Sequence, residues 1–390
     1  MLRWITLLIL VVLLISCSEK EKEADWTILV YMAADNGLNA DALADIEEMM
    51  LGQFSDDVNV IVQIDESELS DDPTAKRYKI LPGTKTLISN LGEIDSGYYN
   101  NLTKFANWAF DKYPAEKKAL FIWGHGNGWY NAYNKFCPDN DSNSAISVPD
   151  EEFKMAMQNI NFHLDILVLD ACNMLTMEVI TEIFPYTDYI MGSEAAICPD
   201  GSPYDEFLTM WEDYESVDAL VQQMAVNFVN SYMPQGSQNP NSIPYEIALG
   251  VVKTANFDDL VIALYDFVED WLAASFDVFA QSRDECAVVF NDLQADVDIY
   301  DYFSIVKSTA QNDDLINSCT DILDLLDEIF IYDYYIDLHN PNGTQNYPAG
   351  RASIWFPTTQ DTYDDLLTEY QKLDFSATGW QLFIGNYFRK

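Results

Sequence analysis

Three histidines and six cysteines are the chain's whole supply of imidazoles and thiols. One pair of them stands where a nucleophile and a proton carrier would. His125 lies between two glycines in Trp123-Gly124-His125-Gly126, directly after the apolar run Ala119–Trp123. Cys172 lies in Asp170-Ala171-Cys172, directly after the apolar run Leu164–Leu169. The attacking form of a thiol is the thiolate, and a helix N-terminus favours it through unpaired N–H groups and the helix dipole. The pattern predicts a helix starting near Met174, just past Cys172. An imidazole beside such a thiolate protonates a leaving group and then activates water, which is the chemistry of acyl transfer. Taken singly, a cysteine closing an apolar strand is more often a buried, inert thiol, and a loop histidine is often only a hydrogen-bonded one. The pairing of the two is what points to chemistry.

The other histidines are placed less usefully. His163 precedes a strand and His339 sits in the turn-like His339-Asn340-Pro341-Asn342-Gly343. Cys137, Cys198, Cys286 and Cys319 are scattered, with no C-x-x-C spacing, so neither zinc nor a redox pair is expected and no metal ligand is assigned. The sixth cysteine belongs to the leader. After Met1-Leu2-Arg3, Trp4 to Ile15 is almost uninterruptedly apolar and stops at Ser16-Cys17, the layout of a secretory signal peptide. The segment is shorter than the roughly 20 residues a spanning helix needs. Leu14-Ile15-Ser16-Cys17 resembles a bacterial lipobox, which makes Cys17 a lipidation site and the mature N-terminus. The expected address is the cell envelope, anchored to a membrane through Cys17, with the outer membrane or cell surface favoured.

Acidic residues outnumber basic ones 64 to 20, for a net charge of -44. Nucleic-acid binding needs basic surface to release phosphate counterions, so DNA and RNA are excluded as partners. An acidic surface keeps an exported protein soluble and draws in cationic peptides.

From Trp26 onward short apolar runs alternate with helical stretches. The pattern predicts strands over Trp26–Ala34 and Val58–Ile64 and a hairpin around Tyr78–Ile88. Further strands fall at Ala119–Trp123, Leu164–Leu169 and Tyr189–Ser193, with helices between. This is the rhythm of a mostly parallel sheet covered on both faces, where function sits in loops leaving the carboxyl ends of the strands. Both the His125 and the Cys172 loop are of that kind. Past about Tyr204 the chain becomes chiefly helical, with one long helix expected over Phe257–Ala280 and late strands near Ile247–Val252 and Ala352–Phe356. The organisation reads as a leader (1–16), a lipidated tether (17–25), an α/β domain (26–215) and a helix-rich C-terminal domain contributing late strands (216–390).

The segment Trp26-Thr27-Ile28-Leu29-Val30-Tyr31-Met32-Ala33-Ala34-Asp35-Asn36 resembles the opening of the clostripain family of cysteine peptidases. Trp123-Gly124-His125-Gly126-Asn127-Gly128-Trp129 is similar to the family's histidine motif. Asp170-Ala171-Cys172-Asn173-Met174, with Glu178 downstream, is similar to its cysteine motif. Gly192-Ser193-Glu194 and Ala352-Ser353-Ile354-Trp355-Phe356-Pro357 fit as well. The resemblance implies a caspase-like three-layer α/β sandwich with a His125–Cys172 dyad and endopeptidase activity after Arg or Lys. Gly126 and Cys172 N–H groups are then the expected oxyanion hole, and Asp170 and Glu194 the carboxylates for a basic side chain. Familiar members often carry Asp where this chain has Glu194. The family is also cut between its His and Cys, and Lys135 is the only basic residue between His125 and Lys154, making it the expected self-cleavage site. No cofactor is required for the chemistry. Calcium is allowed by the family's habits and by acidic loops such as Asp139-Asn140-Asp141, without an EF-hand spacing.

A different class of function fits the 23 tyrosines and 9 tryptophans: a non-catalytic surface lipoprotein binding peptides or glycans on a retained peptidase fold. Many of these aromatics fall inside apolar runs, where packing is the simpler use.

Overall fold

The computed structural model describes residues 23–388, apart from 69, 131–135, 199, 287, 290–294 and 340–349. The leader, Cys17 and Lys135 lie outside the described residues.

The strands are β1 (Ala24–Ala34), β2 (Val58–Glu66), β3 (Ala75–Leu81), β4 (Thr84–Gly92), β5 (Ala115–Trp123), β6 (Phe136–Asp139) and β7 (Ser144–Ile146). They continue with β8 (Leu164–Asp170), β9 (Thr187–Gly192), β10 (Glu246–Lys253), β11 (Val288–Val289), β12 (Asp296–Asp298), β13 (Phe330–Asp337) and β14 (Ser353–Trp355). The helices are α1 (Asn39–Met49), α2 (Tyr99–Lys112), α3 (Glu152–Gln158), α4 (Met177–Ile183), α5 (Tyr204–Met210) and α6 (Val217–Tyr232). Then follow α7 (Phe257–Trp271), α8 (Asp277–Glu285), α9 (Ile299–Thr309), α10 (Asp313–Ile329), α11 (Gln360–Tyr370) and α12 (Trp380–Gly385).

Nine strands form one sheet in the order β13-β10-β9-β8-β5-β1-β2-β3-β4. The middle of it, β2-β1-β5-β8-β9, is parallel, and an antiparallel pair closes each side. Period-two alternation in β1 shows why the sheet is covered twice. Leu29, Tyr31 and Ala33 enter one apolar core with residues of α2, α3, α4 and the C-terminal helices. Ile28, Val30 and Met32 enter a second core with residues of α1, α5 and α6. The result is the α/β three-layer sandwich that the strand–helix rhythm implied.

The helix-rich part is not set apart from the sheet, because β10 and β13 are its last two strands. Three element readings change. The stretch 257–280 is broken between α7 and α8, at Ala273-Ala274-Ser275. The late strand β14 joins a separate three-stranded sheet with β11 and β12. β13, which follows α10 without a break, was hidden by its Tyr- and Asp-rich sequence, half-buried along most of its length as an edge strand is.

Candidate active site

The register of β5 against β8 fixes the site. Trp123 pairs with Asp170, and the Gly124 N–H extends the ladder by donating to the Asp170 carbonyl at 3.2 Å. His125 and Cys172, each two residues beyond that pair, therefore leave adjacent parallel strands at the same edge.

Three glycines let the two loops lie against each other. Gly124, at φ +156°, passes under the Ala33 carbonyl, where a Cβ would come within 3.3 Å. At Gly126 a Cβ would stand 2.5 Å from the Cys172 carbonyl oxygen and 3.0 Å from Ala171 Cβ, so the backbone beside His125 rests directly on the Cys172 turn. Gly128, at φ +61°, would meet the Asn173 carbonyl at 3.2 Å. The far end of the His loop is pinned by Trp129, which stacks on Tyr130 and meets Trp355 and Tyr370 edge-on in the core. On its other side the Cys137 N–H donates to the His125 carbonyl at 3.0 Å, bracing the loop with β6.

The Cys172 turn is laid on the continuation of β9. Asn173, in the left-handed region at φ +59°, donates its N–H to the Ala195 carbonyl at 2.9 Å and its side-chain amide to the Glu194 carbonyl at 3.1 Å. Leu175 N–H reaches the Ser193 carbonyl at 3.0 Å. The half-buried Cys172 Sγ accepts the Ile197 N–H at 3.3 Å. Burial pushes the thiol up; the Ile197 donor pulls it down and the Asp170 carboxylate adds to the rise. Burial also lowers the half-buried His125 imidazole. The free site therefore favours the neutral thiol and neutral imidazole.

This corrects the expected route to a thiolate. The helix does not begin near Met174. It begins at Met177, capped by Thr176, whose Oγ1 accepts the Val179 N–H at 3.1 Å. Cys172 sits in a turn before that point, out of reach of the first-turn N–H groups, and one amide from the β9 loop stands in for a helix N-terminus.

The two expected specificity carboxylates are both buried. Asp170 Oδ2 accepts the Tyr204 hydroxyl at 2.8 Å and the Ser202 N–H at 3.3 Å. Burial raises it, and it lies below Gly201 next to Asp45, whose Oδ2 takes the Trp123 indole N–H at 2.7 Å. Glu194 points away from solvent into the interior, where Oε1 accepts the Gly350 N–H at 2.5 Å. Burial and the adjacent Asp298 hold it far above the carboxylate range, so it offers a substrate no negative charge. Its place in Gly192-Ser193-Glu194 is structural, tying the Cys172 support to β12 and Gly350.

Asp200, which the sequence reading passed over, is an exposed carboxylate in the loop that follows β9. Its charge and that of Cys172 both act on the buried Cys198 thiol. The signal was available: Cys198-Pro199-Asp200-Gly201 is a turn-rich loop following β9, the strand beside β8, and so belongs to the same edge. Of the amides named as oxyanion donors, the Cys172 N–H acts on its own thiol, pulling it down, and the Gly126 N–H has no backbone acceptor among the described residues.

The family model of the clostripain family matches residues 30–386, and the chain belongs to that family of cysteine peptidases. Clostripain of Hathewaya histolytica is 30% identical over 228 residues, which cover 49% of this chain and 43% of that protein. The match thus spans less than half of clostripain's own length. A secreted cysteine protease of Bacteroides thetaiotaomicron, solved with an irreversible peptide inhibitor, aligns with a TM-score of 0.67 at 19% identity, covering 92% of this chain and 99% of that one. An inactive zymogen protease of Parabacteroides distasonis aligns at 0.69 and 20% identity, covering 92% and 98%. At these identities the two structures speak for the shared fold.

Proposed function

We propose that the protein is a cysteine endopeptidase in which Cys172 attacks the scissile carbonyl and His125 carries the proton. The observation that carries this reading is the contact between the two loops, with Gly126 packed on the Cys172 backbone at the sheet edge. The thiol proton passes to the imidazole as Sγ–C bond formation begins, and from the imidazolium to the leaving amine as the C–N bond breaks. His125 then takes a proton from water, whose oxygen releases the acyl group and regenerates the thiol. The Gly126 and Cys172 N–H groups are suited to receive the oxyanion.

Preference for Arg or Lys draws support from the exposed Asp200 in the loop after β9 and from the chain's net charge of -44. Lys135 remains the proposed self-cleavage site. It immediately precedes β6, which braces His125, so a cut there would free the start of that strand beside the dyad. Among the described residues no helix is long and apolar enough to cross a membrane. Attachment to the envelope is proposed through a lipid on Cys17, and Cys17→Ala should release the protein from membranes.

The deciding measurement is hydrolysis of fluorogenic peptides ending in Arg or Lys by leaderless protein, with Cys172→Ala and His125→Ala in parallel. Each variant should lose about 10³-fold or more of kcat. Failure of the folded parent to cleave, including after limited proteolysis near Lys135, would leave the peptide- or glycan-binding lipoprotein as the better reading.

A further inference from the structure

Two buried carboxyl groups meet behind the Cys172 turn. Glu194, in the chain that continues β9, is 2% exposed, and Asp298, the last residue of β12, is fully buried. Backbone serves one oxygen of each. Glu194 Oε1 accepts the Gly350 N–H at 2.5 Å, and Asp298 Oδ1 accepts the Asp301 N–H at 2.7 Å, capping α9. Glu194 Oε2 and Asp298 Oδ2 find no N–H or O–H donor among the described residues, yet the two side chains hydrogen-bond to each other. Two carboxylate groups are acceptors only, so that bond requires a proton between them. Asp298 also draws on the Arg351 N–H, which favours the charge on Asp298 and the proton on Glu194.

The surroundings do not compensate a second charge. Asp301 of α9 adds to the negative field on both groups, and the Cys286 thiol after α8, 3.7 Å from the Asp298 carbonyl, is itself pushed up by burial. Tyr335 of β13, which feels the charge of Glu194, gives its hydroxyl to Glu246 at 2.8 Å. Arg351 eases the charge on Asp298, but its guanidinium lies over the Tyr300 ring at 3.8 Å and pairs with Asp327 at 2.7 Å and Asp333 at 3.4 Å. Loss of the shared proton therefore sets two like charges side by side in the interior.

The pair closes a ring of contacts around the residues after Cys172. Three successive carbonyls hold that turn: Ser193 takes the Leu175 N–H at 3.0 Å, Glu194 the Asn173 side-chain amide at 3.1 Å and Ala195 the Asn173 N–H at 2.9 Å. From the other side Asp298 pairs with Ser353 across β12 and β14, and the Ser353 N–H returns to the Leu175 carbonyl at 3.2 Å. The Gly350 and Arg351 carbonyls lie over Gly250 of β10, where a Cβ would come within 2.8 and 2.6 Å of them and 2.6 Å of the Leu175 side chain. We propose that Glu194 is a positioning residue for Cys172: through the proton it shares with Asp298 it clamps the backbone under the nucleophile, and loss of that proton at alkaline pH opens the clamp. The inference rests on the reading of Cys172 as nucleophile. Burial raises both groups, Glu194 the more, so the clamp is closed from the ordinary carboxylate range upward and is lost as pH rises through the raised value of the pair.

Glu194→Gln tests the clamp, because the amide oxygen still accepts the Gly350 N–H while the amide N–H donates to Asp298 and has no proton to lose. On fluorogenic Arg or Lys peptides, the leaderless variant and parent should agree in kcat within about twofold at pH 6.5, and the ratio should move in the variant's favour to about fivefold or more at pH 9, with KM changing less than kcat. Glu194→Ala should be impaired at both pH values. Amide hydrogen exchange over residues 172–176 is read in a Cys172→Ala background, where it does not depend on turnover. It should be equal in the two chains at pH 6.5 and faster with Glu194 than with Gln at pH 9. Asp298→Asn, whose amide likewise donates to Glu194, supplies the same readouts should Glu194→Gln fold poorly. Exchange that is equal at both pH values would remove the shared proton, and exchange that diverges while the kcat ratio stays constant would show a pair that does not position the nucleophile; either result overturns the proposal. Diverging exchange in a parent that cleaves no peptide would strike the peptidase reading and leave the clamp standing.

Discussion

At the scale of residues, the site stands on a thiol that burial keeps protonated and an imidazole that burial keeps neutral. The thiolate fraction of such a pair is small at neutral pH and grows about tenfold per unit until the thiol pKa is passed. Alkylation of Cys172 by iodoacetamide in the free enzyme should therefore be slow at pH 6 and accelerate steadily beyond pH 8. A rate already flat from pH 6 upward would mean a preformed thiolate–imidazolium pair. Asp200 carries a separate expectation. Its carboxylate is exposed, so Asp200→Asn should reduce kcat/KM for Arg and Lys peptides by roughly tenfold, the worth of a partly solvated ion pair, while leaving alkylation of Cys172 unchanged. Equal loss on neutral and basic peptides would remove Asp200 from specificity.

At the scale of elements, the proposed dyad is held by ties between segments far apart in sequence. Glu178, the acid downstream of Cys172, shows the device. Fully buried at the start of α4, it accepts the Trp355 N–H of β14 and the Tyr370 hydroxyl of α11, each at 3.0 Å. Burial pushes it up to about 8, so it is neutral at pH 7. Glu178→Gln should then keep the thermal midpoint within a few degrees, since a neutral amide of the same shape still offers an acceptor. Glu178→Ala leaves a buried N–H and hydroxyl unpaired and should cost about 2–4 kcal/mol in denaturant unfolding. A Gln variant as damaged as the Ala variant would show that the negative charge is needed. The sequence displayed Glu178 in its motif, yet its partners stand 177 and 192 residues away, and no spacing rule reaches that far.

At the scale of the whole molecule, several buried acids hold protons that the unfolded chain would release. Asp45 is pushed up to about 9 and Glu178 to about 8, burial being the chief cause for both. The sign follows from linkage. Between the ordinary carboxylate range near pH 4 and these raised values the folded state binds more protons than the unfolded one, so stability is full below that window and falls as pH rises through it. The net charge of -44 acts in the same direction through self-repulsion. Thermal midpoints in EDTA should accordingly be higher at pH 5.5 than at pH 8.5, and higher salt should narrow the difference. A midpoint that climbs toward pH 8.5 would contradict the protonated interior.

The sequence by itself determined the alternation of apolar runs that makes a covered parallel sheet, and the position of His125 and Cys172 just past two of those runs. Both are local properties: a strand announces itself by composition and period, and a loop by its glycines. The fate of the aromatics was legible for the same reason, with Trp129, Trp211, Trp355 and Trp380 all in the core rather than on a binding surface. Only the tertiary structure decided what surrounds the thiol. A turn and the Ile197 amide replaced the expected helix N-terminus, because the chain spends Met174 and Leu175 on packing beneath the turn before Thr176 caps α4. Glu194 is buried where a substrate-facing acid was expected, and Asp200 is exposed, for an equally physical reason. Which acid faces solvent depends on how the chain turns after β9, and that turn is set by β12, Gly350 and Tyr232, segments that meet only when the sheet is complete.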